Sequence, residues 1–214
     1  LPTIIKLGGG DLHILKLDQF RFMCSLLCLQ DCLSSVKFDT PENEFKDFNF
    51  RHIARKCEKE KSTMHLAEMQ ASLFNVKIDL ETPWLNNVVA KPKAKIVVNR
   101  TKQYHDKEEV YWKLLEPYVD DILFIGYYRD YYRWRQDVGI NLKFYQCDDA
   151  LEIAEIIKGS KLFIGNQSLC FAIAEAMKHP RVLEIYYKRN NCQPHGEHGY
   201  TKLSNSILQR YLDD

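Results

Sequence analysis

Four consecutive residues, Gly165-Asn166-Gln167-Ser168, have the make-up of a turn that holds an anion. Glycine lets backbone approach a ligand, a helix N-terminus offers N–H groups without intrahelical partners, and three polar side chains add hydrogen bonds. The same residues would also serve as a capped helix in an ordinary sheet, and the turn by itself does not separate the two. Asn99-Arg100-Thr101 is a second turn of this kind, in which Arg100 would either grip phosphate oxygens or pair with a surface carboxylate. Gly126-Tyr127-Tyr128 is a third. Glu184, inside the apolar run VLEIYY, needs a partner, and either a ribose or sugar hydroxyl or a lysine would suit it.

Other clusters are weaker. Tyr127–Arg135 mixes aromatic and basic residues that could stack bases, but at helical spacing Tyr127, Tyr131 and Trp134 form one packing face with the arginines turned outward. Cys192, His195 and His198 have metal-ligand chemistry, yet glycine and proline interrupt them and no second cluster exists, so no metal is expected. Asp120-Asp121 solvates a turn. Cys24, Cys28 and Cys32 recur every four residues and read as a packing stripe on one helical face.

The elements that would position these turns follow a regular alternation. Gly159–Tyr187 reads as strand, turn, helix and strand: Lys161–Ile164 is a buried run, Ser168 an N-cap, Leu169, Ile173, Ala176 and Met177 a helical face, and His179-Pro180 a stop. Ahead of it the pattern predicts strands at Ile96–Asn99, Ile122–Ile125 and Leu142–Tyr145, with helices at Glu108–Tyr118, Tyr128–Asp137 and Asp149–Ile157. A strand at Val182–Ile185 and a closing helix at Leu203–Leu212 follow. Such alternation predicts an α/β fold with a doubly wound parallel sheet whose ligands sit at the C-terminal strand edge. All three turns lie there.

Upstream, Leu1–Leu7 reads as a helix, Asp11–Leu17 as a strand and Gln19–Leu33 as a helix. Val36–Phe38 follows as a short strand, Asp39–Arg51 as loop, Ile53–Lys61 as a basic connector, and Thr63–Phe74 as a helix capped by Ser62 or Thr63. The Pro- and Lys-containing stretch Asn86–Lys95 marks a boundary between a small unit, residues 1–90, and a larger one, residues 91–214. Because the chain opens inside an element and without methionine, further residues are expected upstream.

Composition narrows the class of partner. At 214 residues with 45% hydrophobic and 28% charged, the chain supports a globular core, and a net charge of +1 gives no long-range pull on nucleic acid or an anionic membrane. No apolar run reaches the roughly 20 residues of a membrane helix. Seven cysteines without a CxxC pair point to a reducing, cytoplasmic setting, in which the sequons at Asn99 and Asn166 carry no glycan.

The segments FIGNQSLCFAIAEAMKHPRVLE, IVVNRTKQYH and DDILFIGYY together resemble small bacterial and phage-associated proteins related to glycosyltransferase family 9, the heptosyltransferases. The resemblance spans most of Ile96–Tyr187 and is fainter over the first half. It implies a GT-B architecture of two facing Rossmann-like domains, the first small and truncated at its N-terminus. Residues 1–90 would be the acceptor side and residues 91–214 the nucleotide-sugar domain. By this likeness Arg100 and Asn166–Ser168 lie near the phosphates and Glu184 near the ribose or base, with Asn99, Thr101, Gly126 and Gly165 completing the donor site.

The implied activity is metal-independent and cofactor-free: transfer of a sugar from a nucleotide diphosphate to a glycan or lipid-linked acceptor. A carboxylate base would deprotonate the acceptor while positive charge and helix-end N–H groups stabilise the departing diphosphate. Two departures are plain. The family's Asp-X-Gly-X-X-His turn is replaced by Gly165–Ser168 without histidine, and its catalytic Gly-Asp turn would fall before Leu1, so the catalytic residue is not identified. The alternatives are a non-catalytic nucleotide- or sugar-binding module and a GT-B-fold sugar-nucleotide epimerase or hydrolase.

Overall fold

The computed structural model describes residues 1–14, 17–38, 64–104, 111–186, 188 and 191–212. The expected loop at 39–51, the basic connector at 53–61, the caps Ser62 and Thr63, and Tyr187 lie outside them. Six strands form one sheet: β3 (Ile96–Asn99), β4 (Ile122–Ile125), β5 (Lys143–Tyr145), β6 (Leu162–Asn166), β7 (Arg181–Glu184) and β8 (Gly199–Tyr200). They lie in the order β5-β4-β3-β6-β7-β8, every pair parallel. Counting from β3, this is the 3-2-1-4-5-6 order of a Rossmann-like sheet, and the chain reverses direction across the sheet between β3 and β6.

The strands are apolar runs because both faces are covered. Val97, Leu123, Ile125, Phe163 and Leu183 alternate onto one face. There they meet α2 (Leu17–Leu27), α5 (Ala150–Lys158) and α6 (Leu169–Ala176). Ile96, Val98, Ile122, Phe124, Ile164 and Val182 take the other face. It is covered by α4 (Tyr128–Val138), α7 (Asn205–Leu212) and a 3₁₀ segment, Trp112–Asp121. The sequence predicts an α-helix over Glu108–Tyr118; the described part of it is 3₁₀ and contains Pro117, which has no N–H to donate. The short β8 strand, only two residues long, has no periodicity to reveal it.

The first part of the chain begins with α1 (Pro2–Lys6) and then forms a two-stranded parallel sheet, β1 (Gly10–Ile14) and β2 (Leu33–Phe38), joined through α2. The expected helix Gln19–Leu33 therefore ends at Leu27, and Leu33 begins a strand. Helix α3 (Leu66–Ser72) is capped by His65, whose Nδ1 accepts from Ala67 N at 3.2 Å. Leu26 of α2 and Leu85 and Val88 enter the same apolar cluster as Ala154, Ile157 and Phe171. Ser25 Oγ donates to Asp149 Oδ2 at 2.5 Å, and buried Gln30 exchanges hydrogen bonds with the backbone of Asn86. The stretch Asn86–Lys95 is thus held against the core, with Lys91 N donating to Glu155 O at 2.9 Å.

Candidate functional site

The carboxyl ends of β3, β4, β6 and β7 gather all nine residues of the expected donor site. Register explains this: Asn99 stands opposite Gly165, and Asn166 opposite Glu184. Asn99, 2% exposed, ties three elements, donating through Nδ2 to Ile125 O at 2.8 Å and accepting from Ser168 Oγ at 2.9 Å. Ser168 also caps α6 by accepting from Phe171 N at 3.4 Å. A Cβ at Gly165 would stand 2.7 Å from Asn99 O, so this strand residue has no room for one. Gly126 (φ 125°) is in a region only glycine favours, and a Cβ there would lie 2.7 Å from Asn99 Nδ2.

Asn166 is buried and reaches across the reversal point. Its Oδ1 accepts from Thr101 N at 2.9 Å, and its Nδ2 donates to Thr101 O at 3.1 Å and to Gln103 O. The Asn99 and Asn166 side chains act as cross-ties between the loops after β3, β4 and β6. Gln167 is buried and hydrogen-bonds the Cys192 thiol.

The sequence leaves Arg100 between a phosphate and a surface carboxylate, and Glu184 between a sugar hydroxyl and a lysine. The structure pairs them with each other. Arg100 Nε and Nη2 donate to the two Glu184 carboxylate oxygens at 2.9 and 3.0 Å, with side chains 3% and 1% exposed. Arg100 Nη1 adds Asp137 Oδ2 at 3.3 Å, and the guanidinium lies 5.9 Å from the Trp112 ring centre. Nothing local in the sequence marks Asp137 as a partner of Arg100. The pair joins β3 to β7 beneath the turn, a bidentate geometry that fixes both side chains.

Above this inward-turned polar layer, the edge presents helix starts and aromatic surface. Tyr127 precedes α4 without a side-chain cap, and Tyr127, Tyr128, Tyr104 and Leu169 are exposed. The expected packing face of Tyr127, Tyr131 and Trp134 is corrected at its first member. Tyr131 and Trp134 are buried, whereas Tyr127 lies ahead of the helix and faces solvent. A ligand at this edge would meet backbone N–H groups and aromatic rings, with the charged side chains beneath them.

Cys192, His195 and His198 separate to different partners: Asn191, Glu81 (3.6 Å) and Tyr211 (3.2 Å). Among the described residues no group of three or more His, Cys, Asp or Glu is placed to hold a metal ion. The loop bearing His195 is anchored by a buried network in which Glu175 binds Lys178 and Arg181, and Arg181 donates to His195 O. Burial pushes the neighbouring His65 and His179 down to about 4. This network starts at the amino end of β7, away from the reversal point. A depression of about 420 Å³ lined by Lys93, Lys95, Asp120, Asp121 and Lys161 lies on the same sheet edge, at the amino ends of β3, β4 and β6. It is an open surface bridged by the Lys95–Asp121 pair at 3.4 Å, and it lies where parallel sheets do not present helix starts.

No described helix is long and apolar enough to cross a membrane. No protein-family model, curated protein or solved structure matches the chain.

Proposed function

We propose that the protein binds a nucleotide-diphosphate sugar at the carboxyl edge of its six-stranded sheet and is a glycosyltransferase of the GT-B kind. Residues 91–214 form the nucleotide half and residues 1–90 lie on the side of a glycan or lipid-linked acceptor. The observation that carries this reading is the reversal between β3 and β6, with the α6 start and the Gly126 turn on the same edge. Open parallel sheets hold nucleotides at that point because strand ends diverge there and helix N–H groups converge. In this reading Arg100, Glu184, Asn99 and Asn166 position the loops. The diphosphate is met by the backbone of Gly165–Ser168, which stabilises it as it leaves. The acceptor is deprotonated by a carboxylate base.

The test uses Leu169, the first residue of α6, which is 43% exposed. A carboxylate there suits the helix start, so Leu169→Glu keeps the fold, while it repels a bound diphosphate. Titrating wild type and Leu169→Glu with uridine, guanosine, adenosine and cytidine diphosphates should show at least tenfold weaker binding for the variant, about 1.4 kcal/mol, at unchanged melting temperature. Equal affinity in both, or no binding by wild type at millimolar nucleotide, rejects the site.

A second reading, a non-catalytic nucleotide- or sugar-binding module, is favoured by the Arg100–Glu184 pair, because the cation offered for leaving-group charge already has a carboxylate. Release of nucleoside diphosphate only when an acceptor glycan is added separates transfer from mere binding. Release without acceptor marks a hydrolase.

A further inference from the structure

Two thiols at the end of α2 are in contact at the surface. Cys24 Sγ and Cys28 Sγ are 3.6 Å apart, Cys28 exposed and Cys24 half-buried. Cys28 N donates to Cys24 O at 2.9 Å, so one helical turn holds the two in register although α2 ends at Leu27. The packing stripe expected of Cys24, Cys28 and Cys32 does not describe them. On this helix Leu26 and Leu27 are buried, Phe22 and Met23 pack against the core, and Cys28 is turned to water.

We propose that Cys24 and Cys28 form a peroxide-sensitive dithiol that closes reversibly to an intrahelical disulfide. The exposed Cys28 thiolate attacks one oxygen of hydrogen peroxide. The O–O bond breaks, an S–O bond forms, and the second oxygen leaves as water once protonated, giving Cys28 sulfenic acid. Cys24 sulfur then attacks Cys28 sulfur, the S–S bond forms, the S–O bond breaks, and a second water leaves with the Cys24 proton. Two thiols are oxidised by one peroxide, which is reduced to two waters. The order of events follows from access: Cys28 is exposed and Cys24 half-buried, and burial together with the contact to Cys28 pushes the Cys24 thiol up, so Cys28 is the attacking group.

Geometry sets the character of the bond. Residues four apart on a helix have Cβ atoms about 5–6 Å apart, against roughly 3.5–4.5 Å in a disulfide, so closure must tighten the last turn by an ångström or two. Cys28 can make that movement, since it stands past the last helical residue and carries no packing. A bond closed under such tension is more readily reduced than a structural disulfide. It would also tug on Ser25, which lies between the thiols in sequence and holds Asp149.

The experiment treats the reduced full chain with a small excess of hydrogen peroxide, blocks remaining thiols with iodoacetamide, and maps peptides by mass spectrometry. The expected result is a peptide carrying both residues that has lost two hydrogens, escapes alkylation, and regains both thiols with dithiothreitol. In Cys24→Ser, Cys28 should instead accumulate as sulfinic acid, several-fold above wild type. Alkylation of both residues after oxidation, a disulfide joining two chains through Cys28, or equal sulfinic acid in wild type and Cys24→Ser would each overturn the proposal.

Discussion

Arg100 and Glu184 are 84 positions apart and almost wholly buried, and their bidentate pairing compensates both for leaving water, with a further contact from Arg100 to Asp137. Removing one partner strands a charge. Arg100→Ala should cost about 3–5 kcal/mol of stability, while Arg100→Met combined with Glu184→Leu should recover most of it, because the unpaired charge disappears. Urea unfolding of the three proteins checks this; a double variant as unstable as Arg100→Ala would mean that packing, and not charge, sets the cost. The same pair shows the limit of reading residues alone. A polar residue at the end of an apolar run is legible as special, and all of Asn99, Arg100, Asn166 and Glu184 were so marked. Which of them meet is decided by the β3–β6–β7 register, and no local signal records it.

At the scale of elements, legibility followed the caps. Asp149 and Ser168 stand where strong helix starters belong, and both accept from the N–H three residues on. Where an element lacks such a mark the sequence is ambiguous. Gln19–Leu33 carries apolar residues throughout, and periodicity over so short a run does not tell Leu33 in a strand from one more helical turn. Asp149 has a further duty invisible in sequence, since its second carboxylate oxygen takes Ser25 and fastens α2 to α5. Asp149→Ala should therefore cost about 1–2 kcal/mol, more than Ser25→Ala. Adding Ser25→Ala to the Asp149 variant should then change almost nothing. Denaturant midpoints for the cycle report it, and strictly additive losses would show that the two side chains act apart.

For the molecule as a whole, the apolar cluster on one sheet face mixes Leu26, Leu85 and Val88 with Ala154, Ile157 and Phe171. A shared core melts as one. Calorimetry at neutral pH should give a single transition, and Leu26→Ala, lowering stability by about 2–5 kcal/mol, should move that whole transition; a separate low-temperature peak would refute the coupling. Strand order has a consequence for how the protein is made. On a ribosome β4 emerges about 20 residues after β3 and can pair with it first, but β3 takes its second neighbour, β6, only about 60 residues after itself, roughly 3–12 s of synthesis. During that interval the nascent chain bears an open strand edge of Ile96, Val97 and Val98, which are fully buried in the finished sheet. Slowing translation across residues 100–166, or supplying a chaperone while they are made, should therefore change the yield of folded protein while leaving the stability of the finished fold as it is.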